Sequence, residues 1–485
     1  MKYPDVRHYL GGQWVPGGPR FLDVHNPADG SIITHVPMGD AAVAARAVEA
    51  ALKAQPAWAA VPVKERVQVF YRYKALLERH LPELSALITE EHGKIKSEAD
   101  AEIFKAIELT EFACSLPQLI AGEVLEVSRG VECRVERVSL GVVAAINPFN
   151  FPSMVPHWTI PNAIALGNAF IMKPSEQVPL SAGRIAELLH EAGLPDGVFN
   201  IVHGDREVAE ALCDHPGIRA VTFVGSTTVA QQVYRRATGN LKRALCLGGA
   251  KNHVIVMPDA DPIMAAGGVL AAMAGCTGQR CMAASVMVAV DGTDHIVELI
   301  ANEARAMVVG RDVGPVISAA AKARIETHIT EAEAGGARVL VDGRYASVAS
   351  KPGGWYVGPT VIDRVRPDMA LAREEVFGPV LAIVRTGTLD EAIAVENASP
   401  YGNAASIFTE SGGAARIAME RASAGMVGVN VGVPVPREPF GFGGWNDSRF
   451  GAGDITGRSS IEFWTKTKKI TTKWNREAGT NWMSK

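Results

Sequence analysis

The stretch AAMAGCTGQRCMAASVMV, residues 271–288, places Cys281 directly after Arg280 in a turn that contains Gly and Gln. The turn lies between a helical and an extended pattern. A thiolate is a strong nucleophile, and a neighbouring cation favours it over the thiol. The competing reading is a buried cysteine acting as a small apolar residue, which is the commoner fate of that side chain. Two further stretches have nucleotide chemistry. In FIMKPSE (170–176) Lys173 stands at a strand end with reach for a ribose or phosphate, and Glu176 has a carboxylate that suits two ribose hydroxyls. A carboxylate there repels a 2′-phosphate and so favours NAD over NADP. In TFVGSTTVAQQVYRR (222–236) a strand closes at Gly225, and Ser226 with Thr227 opens a helix whose free N–H groups attract phosphate. Read locally, these are also a surface Lys–Glu pair and an ordinary helix start. No G-x-G-x-x-G follows a strand, so the usual dinucleotide fingerprint is missing.

The order of five motifs is more specific than any one of them. NPFNFP (147–152), MKPSE (172–176), FVGST (223–227), GQRC (278–281) and EEVFGPV (374–380) together resemble the aldehyde dehydrogenase superfamily over nearly the whole chain. GAKNH, MPDAD, GQRCMA and the FWTKTKK near the C-terminus are similar to its CoA-acylating methylmalonate/malonate semialdehyde branch. The resemblance implies that Cys281 attacks the aldehyde and that Asn150, with the Cys281 backbone N–H, stabilises the oxyanion. It also implies that Lys173 and Glu176 hold the adenosine ribose of NAD, and that Gly225 and Ser226 meet the pyrophosphate. Glu375 holds the nicotinamide ribose, with Phe377 beside it. The implied cofactors are NAD and, as co-substrate, CoA; no metal is implied.

The stretch ALCLGGAKNH (244–253) departs from the hydrolytic members of the superfamily. Those carry a glutamate before Gly-Gly-Lys that activates the water cleaving the thioester. Aligning on Gly-Gly puts Cys246 in its place. Aligning on Lys251 puts Leu247 there, 34 residues before Cys281, and this alignment needs no gap. Either way no carboxylate is present, so the thioester is expected to wait for a thiol, and an acyl-CoA product follows. In the semialdehyde branch two arginines receive the substrate's own carboxylate. Arg280 matches one, but Lys105 in ADAEIFKAIELTEFA stands where the other is expected. Lysine keeps the charge and loses the bidentate fork, so an anionic aldehyde remains expected while malonate or methylmalonate semialdehyde is less strictly implied. Lys105 also reads as a solvated helix residue. The branch releases acetyl-CoA or propionyl-CoA after loss of CO₂. The alternatives to an acylating enzyme are a hydrolytic aldehyde dehydrogenase and a catalytically idle paralogue.

These residues need a scaffold, and the pattern around them supplies one. Helical periodicity runs through residues 39–58 behind Asp40, then 63–80, 82–94 and 97–116, the last with Ser97 as its cap. VECRVERVSLG alternates at period two and reads as a strand pair. Beyond it, short apolar strands alternate with helices in two series, LGVVAAI through AVTFVGS and then HVIVMPDAD through GMVGVNV. The fold class is therefore α/β, two parallel-sheet domains plus a small β oligomerisation element, and the resemblance implies an aldehyde dehydrogenase-like fold. The expected division is 1–122 with 141–247 for NAD binding, 248–444 for catalysis, and 123–140 with 465–485 for assembly into a homodimer or homotetramer.

Composition narrows the remaining classes. The chain has 485 residues, 21% charged and 47% hydrophobic, with a net charge of −4. Mixed signs and a slight acidic excess argue against a nucleic-acid partner. The basic KTKKITTKWNR reads as a solvated edge strand. The six cysteines form no C-x-x-C pair, so neither a zinc site nor a disulfide framework is indicated, and a reducing compartment is expected. No signal peptide or membrane-spanning run is evident, and a cytoplasmic enzyme acting on a small-molecule aldehyde is the expectation.

Overall fold

The computed structural model describes residues 1–474. Two parallel sheets dominate it. The first has five parallel strands in the order Phe199–Ile201, Ala169–Lys173, Val142–Ile146, Ile218–Val224, Arg243–Leu247. The hairpin His8–Leu10/Gln13–Val15 extends one edge antiparallel, and Arg449–Phe450 closes the other. The central strands Val142–Ile146 and Ala169–Lys173 are buried at every position, as expected for a sheet covered on both faces. The second sheet places Arg338–Val341 antiparallel beside six parallel strands: Thr360–Asp363, Val380–Thr386, Ala284–Val290, Asn252–Val256, Ala404–Phe408 and Met426–Val429.

The third sheet is small and antiparallel. Thr465–Lys473 pairs along its length with Val131–Ser139, which pairs in turn with Glu123–Ser128. VECRVERVSLG is thus one long strand rather than two, because no turn residue interrupts residues 131–139. The Lys-rich strand does lie at the sheet edge. Of the segment expected to serve assembly, residues 475–485 lie outside the described residues.

The local signals are mostly where the pattern places them. Asp40 caps Ala41–Ala60 by accepting from the Val43 N–H at 3.0 Å. Ser97 is not a cap: the helix is Lys96–Cys114, and the Ile95 carbonyl already accepts from the Glu98 and Ala99 N–H groups. Of residues 445–464, outside the expected division, Trp445–Asn446 pairs with Tyr401–Gly402, and Arg449–Phe450 joins the first sheet. The helix Gly457–Trp464 buries Trp464 completely against Phe170 and Phe463. Among the described residues no helix is long and apolar enough to cross a membrane.

Candidate active site

The carboxyl ends of the first sheet's strands open into a cleft of about 580 Å³ facing the second sheet. This is the expected ligand position in an open α/β sheet. The cleft brings together Asn150, Lys173, Glu176, Gly225, Ser226, Cys281, Glu375 and Phe377, although they come from positions spread over more than two hundred residues. Behind them lies a second cavity of about 210 Å³, lined among others by Glu98, Lys105, Trp158, Arg280 and Glu438. Cys281 is the one residue that lines both. A nucleophile at that junction can face a cofactor on one side and a small substrate on the other.

The turn carrying Cys281 is built under strain. Cys276, Thr277 and Gly278 all have positive φ, at 51°, 56° and 70°. The first two are in a region L-residues seldom occupy, so the surroundings must hold them there. Gly278 has no alternative: a Cβ would stand 2.0 Å from the Gly378 carbonyl oxygen. That close approach joins GQRC to EEVFGPV, and Glu375 and Phe377 line the same cleft as Cys281. Phe377 itself has φ 55° and meets Phe149 edge-on at 5.8 Å. Two amides then fix the Cys281 backbone. Asn252 Nδ2 and Asn403 Nδ2 donate to the Cys281 carbonyl at 2.7 and 2.8 Å.

Asn150 is held just as firmly. Its Nδ2 donates to the Gln279 carbonyl at 3.0 Å, and its own carbonyl accepts from Lys94 Nζ at 2.8 Å. Lys94 is fully buried, paired with Glu102 at 2.6 Å and lying 4.0 Å from the Phe151 ring centroid. The other Glu102 oxygen accepts from the Ser153 and Met154 N–H groups at 2.7 and 3.0 Å. A buried ion pair is worth having only when such extra hydrogen bonds complete it. Here it anchors the NPFNFP segment from both sides.

The electrostatics of the thiol differ from the sequence expectation. Burial pushes the Cys281 thiol up to about 12, and Glu375 adds to the effect. Arg280 acts in the opposite direction but is outweighed. Its guanidinium is turned to the Ala271 and Ala272 carbonyls at 2.5 and 3.1 Å. An adjacent arginine in sequence is therefore not enough to ionise the thiol. Glu375 is itself raised to about 7 by burial, with Lys251, Arg324 and the Ala250 N–H pulling the other way.

The cleft suits an adenine dinucleotide. Lys173 Nζ sits 3.1 Å from Glu176 Oε2, leaving the other carboxylate oxygen free. Ser226 stands before the helix Thr227–Gly239, and its hydroxyl makes no capping bond. Asn147 Nδ2, also at the cleft, is buried without a partner. A buried unpaired donor is costly and fits a site completed by a ligand acceptor. A Cβ on Gly249 would lie 2.6 Å from Glu375 Oε2, so any larger residue there would displace the Glu375 carboxylate.

Arg280 and Lys105 do both line the second cavity. Lys105 is not solvated: its ammonium contacts Glu438 Oε2 at 2.8 Å and Glu108 Oε1 at 3.1 Å. Arg280 Nε is buried with no partner. Arg449 lies outside both cavities and bonds to the Gly453 carbonyl and Asp454 at 3.0 and 3.3 Å.

Leu247 ends its strand, buried in the apolar cluster against which Cys281 packs; Cys246 belongs to the cluster on the opposite face of the sheet. The alternation of side chains along a strand thus puts Leu247, and not Cys246, in the cluster against which Cys281 packs.

Residues 14–470 match the profile of the Aldehyde dehydrogenase family. The chain is 43% identical to a malonate-semialdehyde dehydrogenase of Pseudomonas aeruginosa, covering 98% of this chain and 97% of that one. It is 45% identical to malonate-semialdehyde dehydrogenase 1 of Geobacillus thermodenitrificans, covering 97% and 99%. Among solved structures it resembles a methylmalonate-semialdehyde dehydrogenase from Oceanimonas doudoroffii, with TM-score 0.96, 43% identity and coverage of 98% and 99%. A structure from Sinorhizobium meliloti 1021, provisionally assigned the same activity and solved with NAD, gives TM-score 0.96, 41% identity and coverage of 98% and 99%.

Proposed function

The chain belongs to the aldehyde dehydrogenase family, and we propose that it oxidises malonate or methylmalonate semialdehyde, or a closely similar anionic aldehyde, with NAD and passes the acyl group to CoA. The observation that carries this reading is the position of Cys281 at the junction of the two cavities, together with an apolar Leu247 and not a carboxylate at the end of Arg243–Leu247, in the cluster against which Cys281 packs. The relatives' names supply the aldehyde.

The residues divide the work as follows. Lys173 and Glu176 hold the adenosine ribose, Gly225 and Ser226 receive the pyrophosphate, and Glu375 holds the nicotinamide ribose against Phe377. Bound there, NAD supplies the hydride acceptor. The Cys281 thiol gives its proton to solvent water in the cleft, and its sulfur bonds to the aldehyde carbon as the carbonyl π bond opens onto oxygen. The oxygen, now anionic, is met by Asn150 Nδ2 and the Cys281 N–H. Departure of hydride restores the carbonyl and leaves a thioester on Cys281. Water needs a general base to attack that thioester at neutral pH, and Leu247 cannot act as one. The CoA thiolate attacks without such help, and Cys281 leaves as thiolate. A β-carboxy acyl group then loses CO₂, giving acetyl-CoA or propionyl-CoA.

Arg280, through its unpaired Nε, and Lys105 would receive the substrate's carboxylate. Residues 1–122 with 141–247 form the NAD-binding part and 248–444 the catalytic part in this reading. The strands at 123–140 and after 464 serve assembly into a dimer or tetramer. Val124, Leu125 and Val127 are exposed on the edge strand Glu123–Ser128, which supports an apolar contact there. A cytoplasmic enzyme fits the absence of a membrane-spanning helix among the described residues.

One observation favours a hydrolytic alternative: Glu375 is raised to about 7 and acts electrostatically on the Cys281 thiol, so it could serve as the base for water. A panel of aldehydes, each assayed for NADH with and without CoA and with products identified, separates the two. CoA-dependent turnover giving acyl-CoA supports the acylating reading. CoA-independent turnover to free acid supports the alternative.

A further inference from the structure

The proposed substrate cavity contains its own anion. Glu438 lies in the segment after Met426–Val429, and its side chain is only 7% exposed. It reaches across the cavity to Lys105 on the helix Lys96–Cys114, at 2.8 Å. Lys105 is thereby held between two carboxylates, Glu438 and Glu108. The other charged groups on the cavity wall are Glu98, Glu102 and Arg280. Glu102 is neutralised by Lys94, and Glu98 accepts from the Cys276 N–H. The cation that a substrate carboxylate would seek is thus already engaged by the protein's own carboxylates.

We propose that Glu438 is a specificity-determining residue: its carboxylate occupies the Lys105 ammonium, and an anionic aldehyde binds by displacing it. This rests on the reading of the substrate as an anionic aldehyde. The consequence is a raised KM for anionic aldehydes relative to a cavity with a free cation. A neutral aldehyde makes no claim on Lys105 and is indifferent to the exchange. The displaced Glu438 has a route outward, because Arg437 before it and Pro439 after it are both exposed. The price of desolvating a second carboxylate in a cavity of about 210 Å³ makes simultaneous occupancy by both anions unfavourable.

The test is a comparison of KM for malonate semialdehyde and for butanal in the wild type, Glu438→Gln and Glu438→Ala, with NADH as the readout. The proposal expects KM for the anionic aldehyde to fall about tenfold in both variants, as for one freed charge-assisted contact. The KM for butanal should move much less. Adding Lys105→Met to Glu438→Gln should remove the gain. An unchanged or raised KM for the anionic aldehyde, or an equal fall for both aldehydes, overturns the proposal. Inhibition of butanal oxidation by 3-hydroxypropionate gives a separate reading that needs no turnover of the semialdehyde. If malonate semialdehyde gives no NADH at all, the functional reading fails. The proposal still stands or falls on whether 3-hydroxypropionate inhibits the Glu438 variants about tenfold more strongly than the wild type.

Discussion

Leu247 and Cys281 share an apolar cluster, Leu247 as the last residue of Arg243–Leu247 and Cys281 packed against that cluster from the turn before Ala284–Val290. The strand end is fixed from three sides. The Leu247 carbonyl accepts from the Gly225 N–H at 3.1 Å, and the Gly248 N–H donates to the Ser448 carbonyl at 2.9 Å. The Gly249 N–H donates to Thr227 Oγ1 at 2.9 Å. A side chain at 247 is therefore held in the cluster against which Cys281 packs, and in the proposed reaction its chemistry bears on which acceptor takes the acyl group.

Replacing Leu247 with Glu should open a water route. A positioned carboxylate base typically contributes 10²–10⁴ in rate, so even imperfect placement should raise CoA-independent acid formation by about tenfold or more. The check is free-acid release measured without CoA. The same change buries a charge in an apolar cluster, so a lower melting temperature is expected alongside.

Asn150→Ala should lower kcat/KM by roughly 10²–10³ with little effect on NAD binding, since it removes one oxyanion donor. Steady-state kinetics with a cofactor titration separates the two. Loss of NAD affinity in place of rate would remove Asn150 from the oxyanion role.

The Lys94–Glu102 pair predicts a positioning effect. Glu102→Gln leaves the Lys94 ammonium buried without its counter-ion, and breaking such a pair typically costs about 3–5 kcal/mol. Thermal unfolding should show the loss of stability. Because Lys94 holds the Asn150 carbonyl, kcat should fall more than KM rises, which a purely structural role would not require.

The raised Cys281 thiol makes a pH prediction. With ionisation pushed up to about 12, the thiolate fraction grows with each unit of pH through the neutral and mildly alkaline range. Alkylation by iodoacetamide should rise about tenfold per unit from pH 7 to pH 10 without a plateau. Glu375→Gln removes a nearby negative charge and should speed alkylation at pH 9. A plateau near pH 8 in the wild type would mean that the thiol is not raised.

How much of this was legible in the chain depends on how local each signal is. Lys173, Glu176 and Ser226 sit at strand ends where apolar runs stop, so their position at one edge of a parallel sheet follows from the alternation itself. Cys281 gave a weaker signal, made specific by the other motifs. The supports were not legible. Lys94 and Glu102 look like ordinary helix charges, and Asn252 and Asn403 like turn residues, until folding brings them to the Asn150 and Cys281 backbones. The Lys105–Glu438 contact spans 333 residues and has no local trace. The state of the thiol is not legible from its neighbour Arg280, because burial, a property of the packed cleft, outweighs the adjacent cation.

The central claim is that the acyl-enzyme lacks a base for water, and it is tested most directly by one turnover. The enzyme is mixed with NAD and excess malonate semialdehyde without CoA, and NADH is followed while intact mass is read on the protein. The account predicts a burst of one NADH per active site, an acyl adduct on Cys281 that persists, and renewed NADH formation when CoA is added. Continuous NADH formation without CoA, with no adduct and with free acid as product, would contradict it.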